Sequence, residues 1–240
     1  LQPENEQAHL ALLRQLVASQ RIEEAQAAVR AMRLQLPHHA VDSALGVAYE
    51  MLGEPLLAKM HFEQAIAARP MDAAARRDLA AYYLLVKNNE LALQKLDELL
   101  AIAKANSGVD ARHFAWARRT KAHLIGGSGK NSDFIAAVTL LKKNGSPAMS
   151  PADLVLLSQL TLPRDDPYAL EDAINAFEEA EKTRPLSPTE QLALARLHNA
   201  AGQWPACERM MTNLIAGEGN NAAVISAWCD MKLRRGDGSE

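Results

Sequence analysis

The chain has 240 residues, 48% of them hydrophobic and 23% charged, with a formal net charge of −3. That balance excludes the core-poor, highly charged composition of disordered segments. It also excludes nucleic-acid binding through overall positive charge, though not through a local basic patch.

Aromatic residues make up only 5% of the chain while Ala is abundant. Ala loses no side-chain entropy in a helix, so this composition favours closely packed helices. No apolar run approaches the roughly 18–20 residues needed to span a bilayer. The opening Leu1-Gln2-Pro3-Glu4-Asn5-Glu6 is polar and acidic, unlike a signal peptide, and there is no initiator Met. These features predict a soluble, cytoplasmic or periplasmic chain that has been processed or cut from a longer one. Cys207 and Cys229 are the only cysteines, too few for a disulfide framework.

Taken in order, apolar residues recur at helical spacing in successive pairs of segments. Residues 6–38 carry Leu12, Leu16, Ala25, Val29 and Met32 and close near Pro37. Residues 39–69 carry Leu45, Gly46 and Tyr49, break at Gly53, and continue with Ala58, Phe62 and Ala65 before Pro70. The next pair, from 73, has Leu79, Ala80, Tyr83, Ala92, Leu96 and Leu99, with Lys104 where Pro would stand. A fourth pair is irregular. Its helices are predicted at 110–124 and 133–143, separated by Gly126-Gly127-Ser128-Gly129-Lys130 and followed by a turn-rich stretch to Pro151. The fifth, about 151–185, breaks at Leu162 to Pro167 and resumes with Ala173, Phe177, Ala180 and Pro185. The sixth, from 188, has Leu194, Ala195, Gly202, Cys207, Met211 and Leu214, and a last helix is predicted at 222–235.

The small residue opening each second helix forms a ladder: Ala25, Ala58, Ala92, Ala137, Ala173, Cys207, with steps of 33, 34, 45, 36 and 34. Residues 39–70 closely resemble the tetratricopeptide repeat, a 34-residue helix pair with a W–LG–Y–A–F–A–P pattern. Only the leading Trp is missing, and Asp42 stands there. The resemblance extends along nearly the whole chain as about six and a half repeats and implies an all-α, right-handed solenoid of antiparallel helix pairs. Enough repeats are present to bury a continuous core. We divide the chain into 1–105, three helix pairs; 106–150, the irregular pair with its Gly-rich insertion; and 151–240, two further pairs and a C-terminal capping helix.

Little in the chain points to catalysis. A phosphate loop needs Gly four residues before the Gly-Lys pair and Ser or Thr after Lys. Leu124 and Asn131 stand there instead, so the Gly-rich stretch reads as an inter-helix insertion. His38 and His39 are adjacent and therefore do not share a helix face. Nothing else is spaced to complete a metal site around them, and no metal or cofactor is implied. Cys207 and Cys229 fall where the repeat wants small residues, which predicts core packing for both. No nucleophile elbow, zinc-protease pattern or dinucleotide fingerprint occurs.

The resemblance implies a concave groove lined by the first helices, where partner peptides dock. Its register assigns Arg14 to the first repeat, Arg77 to the third, Arg112, Arg119 and His123 to the fourth, and Arg196 and Asn199 to the sixth. The Asn of the chaperone-tail clamp is absent, with Arg14, Val47 and Ala81 at the ninth positions. What remains is a bias to Arg, whose fork pairs with carboxylates. The expected function is therefore a protein-interaction scaffold, not an enzyme, that binds a peptide or protein partner, with an acidic segment as the sharper form. An accessory domain of a larger enzyme, secretion or membrane-associated assembly is the alternative.

Nucleic-acid binding ranks third. It would use the basic stretch 111–132, where Phe114 and Trp116 interleave but are expected in the core. The dense carboxylates from Asp165 to Glu181 read as a solvated face. In the last helix, Ser226, Asp230 and Arg234 form a polar stripe beside a broad apolar surface that includes Trp228 and Cys229. That helix is expected either to cap the stack or to pair two chains.

Overall fold

The computed structural model describes residues 4–105, 111–145, 148–218 and 221–235. Leu1 to Pro3, Pro147 and the stop at Gly236 lie outside the described residues. The described residues form thirteen α-helices and no strand. They are α1 Glu6–Ala18, α2 Ile22–Gln35, α3 His38–Met51, α4 Pro55–Ala68, α5 Ala73–Leu85, α6 Asn89–Ala105 and α7 Ala111–Gly126. After these come α8 Asn131–Lys142, α9 Pro151–Thr161, α10 Pro167–Glu181, α11 Pro188–Ala200, α12 Trp204–Glu218 and α13 Ala222–Arg235. The order is that of six helix pairs and one further first helix, the tetratricopeptide-type fold.

Local chemistry marks the helix boundaries. Asn5, Asp72, Ser150, Asp166 and Ser187 each accept a backbone N–H in the first turn of the helix they precede. Such caps satisfy donors that have no partner inside the helix. Pro55, Pro151, Pro167 and Pro188 stand in first turns, where a missing N–H costs nothing. Each turn inside a pair contains one residue of positive φ: Gln20, Gly53, Lys87, Gly129, Asp165 and Gly202. Glycine enters this region freely, whereas Gln20 and Lys87 do so against a steric cost.

The chain divides into two compact units, 1–117 and 118–240, with the division inside α7. In the first, Leu13, Leu16, Ala25, Val29, Met32, Leu45 and Ala48 belong to one buried cluster. In the second, one cluster centres on Leu154, Ala173, Phe177 and Leu194, and another on Ala195, Cys207, Met211 and Met231. Every rung of the ladder from Ala25 to Cys207 is at most 1% exposed. Close approach explains why. At Gly46 a Cβ would run into the ring of Phe62, itself fully buried.

The missing Trp of the second repeat is replaced by a polar bridge between α3 and α4. Asp42 Oδ1 lies 2.9 Å from Nδ1 of the buried His61. The His61 ring stacks on Tyr49 with centroids 5.4 Å apart.

Three expected core positions are corrected. Leu12 is 39% exposed, and its neighbour Leu13 takes the place in the core. Trp116 is only half-buried and lies under a guanidinium. Cys229 is an exposed free thiol, because no helix of the described chain covers its side of α13.

Candidate partner-binding site

The seven residues expected to meet a partner fall in different environments. In the first unit, Arg14 is exposed on α1. Arg77 is exposed on α5, with its guanidinium 5.3 Å from the centre of the Trp116 ring. Cation–π contact of this kind holds the side chain without neutralising it. Beside it, burial pushes the Asp78 carboxyl up to about 6; Arg77 opposes that shift while Glu50, Asp72 and Glu6 add to it. Burial also raises Glu50 and Glu6. This unit therefore sets carboxylates next to its Arg, which an Arg bias alone did not suggest. Arg112 is exposed and interacts with neighbouring groups.

In the second unit, Arg119 is committed to the fold. Its Nε donates to Asp153 Oδ1 at 2.7 Å and its Nη2 to Ser150 Oγ at 3.0 Å. The Asp153 side chain is 1% exposed, and Asn144 also donates to it. Arg119 thus neutralises a buried carboxylate at the start of α9. His123 is exposed on α7, and His38 and His39 are exposed at the start of α3.

Arg196 and Asn199 are brought together. With Ala200 of α11 they line an open cleft of about 410 Å³, completed by Ala227, Asp230, Met231 and Arg234 of α13 and by Leu162. Among the described residues, Arg196, Asn199, Asp230 and Arg234 have no side-chain hydrogen bond or ion pair. Two guanidinium groups and one carboxylate thus face the same space with hydrogen-bonding capacity unspent.

Asp230 and Arg234, two members of the polar stripe expected along α13, thus line the cleft. The signal that would have placed them is the repeat itself. Carrying the 34-residue register one step on puts Asp230 in α13 where Arg196 stands in α11, and Arg234 where Ala200 stands.

Among the described residues, no three His, Cys, Asp or Glu side chains are placed to hold a metal ion. No helix among them is long and apolar enough to cross a membrane.

The sequence matches no protein-family model and no curated protein. Solved structures do match. PilW, described as a widely conserved type IV pilus biogenesis factor, superposes with a TM-score of 0.65 at 16% identity, covering 93% of this chain and 98% of its own. PilF of Pseudomonas aeruginosa superposes with a TM-score of 0.61 at 14% identity, over 94% of this chain and 97% of its own. A tetratricopeptide repeat protein from Parabacteroides merdae is more distant, at a TM-score of 0.45 and 16% identity, over 96% of this chain and 73% of its own. At these identities the likeness is one of fold, and that fold is the all-α helix-pair solenoid of the tetratricopeptide type.

Proposed function

We propose that the chain is a protein-binding scaffold whose second unit takes an acidic or carboxylate-ended segment of a partner protein in the cleft between α11 and α13. The observation that carries this reading is the cleft itself, where Arg196, Asn199 and Arg234 face open space without partners of their own. A guanidinium offers a planar fork of donors to a carboxylate, and such charge-assisted bonds are about twice as strong as neutral ones. Asp230 beside them makes the site selective, since it repels a partner whose acids are out of register. Recognition of this kind needs no chemistry from the scaffold, so we read a binding protein and not a catalyst.

The test uses fluorescence anisotropy with a labelled peptide ending in three Glu residues and a free carboxylate, at low and at physiological salt. Arg196→Ala and Arg234→Ala should each weaken binding by about tenfold, the effect of roughly 1.4 kcal/mol. An amidated peptide end should weaken it further, and circular dichroism should show both variants folded. Unchanged affinity in both variants would refute the cleft as the site.

A second reading concerns context. PilW, a type IV pilus biogenesis factor, shares this fold over nearly the full length of both chains. That supports placing the chain as an accessory component of a secretion or membrane-associated assembly. Co-purification from membrane and soluble fractions of the source cell distinguishes this from a free cytosolic scaffold. Recovery with envelope proteins is the expected result.

A further inference from the structure

The first unit holds an open groove of about 390 Å³ between its first two helix pairs. One wall is α2, through Ile22, Gln26, Val29 and Arg30. These stand at i, i+4, i+7 and i+8, a single stripe of the helix. Tyr49 at the end of α3, Leu57 of α4 and Glu54 at the start of α4 form the other side. The volume falls within the roughly 300–1,000 Å³ of ligand pockets.

The helices on both sides of this groove are in place, yet its apolar surface meets solvent. Ile22 is 48% and Leu57 38% exposed, while Val29 between them is 4% exposed. One repeat further on, the chain closes the same register itself. Lys59 stands there for Gln26 and Glu63 for Arg30, and the two pair at 3.6 Å. Tyr83, which stands for Tyr49, is 6% exposed, whereas Tyr49 is only half-buried. The first groove lacks the cover that the second one carries.

Unspent charge selects the occupant. Arg30 and Glu54 are exposed, and among the described residues neither has a side-chain hydrogen bond or ion pair. In the repeat register Glu54 corresponds to Arg21, level with the Ile22 end of the groove. Arg21 itself is already paired with Glu24. Arg30 stands eight residues along α2, about 12 Å away on the axis. The groove is thus acidic at one end, basic at the other and apolar between. Helix walls offer no row of free backbone groups, so an extended strand gains nothing there, and a helix in the groove is the matching mode. Helices are stabilised by acids in the first turn and bases in the last. Such a helix, laid antiparallel to α2, meets the groove charge for charge.

We propose that this groove docks an amphipathic helix of a separate protein, antiparallel to α2. Its acidic first turn meets Arg30, its basic last turn meets Glu54, and its apolar stripe covers Ile22, Val29 and Leu57. The site shares no residue with the cleft between α11 and α13, so either can fail alone.

The probe is a fluorescein-labelled synthetic helix of about four turns, with two Glu in its first turn, a Leu stripe at helical spacing and two Lys in its last turn. Binding to the full chain is read by anisotropy. Ile22→Asp and Leu57→Asp put a carboxylate under the apolar stripe and should each weaken binding at least about tenfold. Both side chains already meet solvent, so circular dichroism should show the variants folded. Arg196→Ala and Arg234→Ala should leave this affinity unchanged, which separates the groove from the cleft. A double-mutant cycle fixes the direction. Arg30→Gln and loss of the peptide's Glu should be coupled by about threefold, and Arg30→Gln and loss of its Lys should be additive. No binding at about 1 mM peptide, or affinity indifferent to Ile22→Asp and Leu57→Asp, would overturn the proposal. So would coupling of Arg30 to the peptide's last turn in place of its first. Self-association of the chain that Ile22→Asp abolishes, seen by sedimentation, would make a second copy the occupant and overturn it as well.

Discussion

Replacing Asp78 by Asn should stabilise the first unit at neutral pH and leave it almost unchanged near pH 4. Burial holds the Asp78 carboxyl at about 6 in the folded chain. In the unfolded chain an Asp titrates at about 3.9. Between these values the native state binds a proton that the unfolded state has already released. Stability linked to this group therefore falls as pH rises through the window, being fully present below about 4 and lost above about 6. About 1.4 kcal/mol per pKa unit over roughly two units gives an upper bound near 3 kcal/mol. Asp78 keeps some solvent contact, and screening brings the expected effect to about 1–2 kcal/mol. Urea unfolding should be followed by Trp116 fluorescence in a Trp204→Phe, Trp228→Phe background, so that the signal belongs to the first unit. Stepped from pH 4 to pH 8, the gap in midpoint between Asp78→Asn and parent should open mostly between pH 4 and 6. A gap that does not vary with pH, or a less stable variant at pH 8, would falsify the assignment of a desolvated carboxylate.

Gly46→Ala gains about 1 kcal/mol of helix propensity but drives a methyl into the Phe62 ring; overpacking of roughly 1–3 kcal/mol outweighs it. A net loss of about 1 kcal/mol should appear in thermal melts and shrink when Phe62→Leu is added. Glu190 is fully buried, and Arg184 and Ser187 bond its carboxylate. Burial would raise this group, but the hydrogen bonds outweigh burial and lower it, so its stabilisation is present above about 4.3 and is lost as pH falls through the lowered value. Glu190→Gln should therefore cost about 2 kcal/mol at pH 7 and progressively less as pH falls below the unfolded value of about 4.3, read by chemical unfolding across an acid series. Lys87→Gly relieves a left-handed residue that costs about 1 kcal/mol and should raise the melting temperature by roughly 2–4 °C. Arg119→Glu faces the buried Asp153 with a second carboxylate and should unfold the second unit, visible as lost helical signal. Arg196→Glu should leave that signal intact.

The helix pairs were legible because the repeat writes one small residue per pair, and Ala25 to Cys207 all proved to be buried. Even the irregular fourth pair was placed within one or two residues, since Ala137 and Leu141 kept the spacing. The turns were only half legible. Gly53 and Gly202 announce a positive φ, but Gln20 and Lys87 adopt it because packed helices on either side dictate the path. Side-chain allegiance was the least legible. The repeat register treats Arg119 and Arg196 alike, yet a Ser-x-x-Asp cap 31 residues further on claims the first. Cys229 has the right register for a core residue, and register cannot say whether a neighbour arrives to cover it.

The loop between α7 and α8 has a practical consequence. A side chain at Gly127 or Gly129 would meet nothing within 4 Å, while Gly126 just before them is pressed against Leu160. Rigid packing ends within one residue and free space begins. The expected Gly-rich insertion is in fact a loop of residues 127–130, and the 45-residue ladder step comes mostly from the longer α6 and α7. Each doubling of such a loop costs only about 0.6 kcal/mol. A dye-binding tag or small reporter domain spliced between Gly127 and Gly129 would ride on the second unit as a passenger, giving an optical handle far in sequence from the cleft residue Arg196.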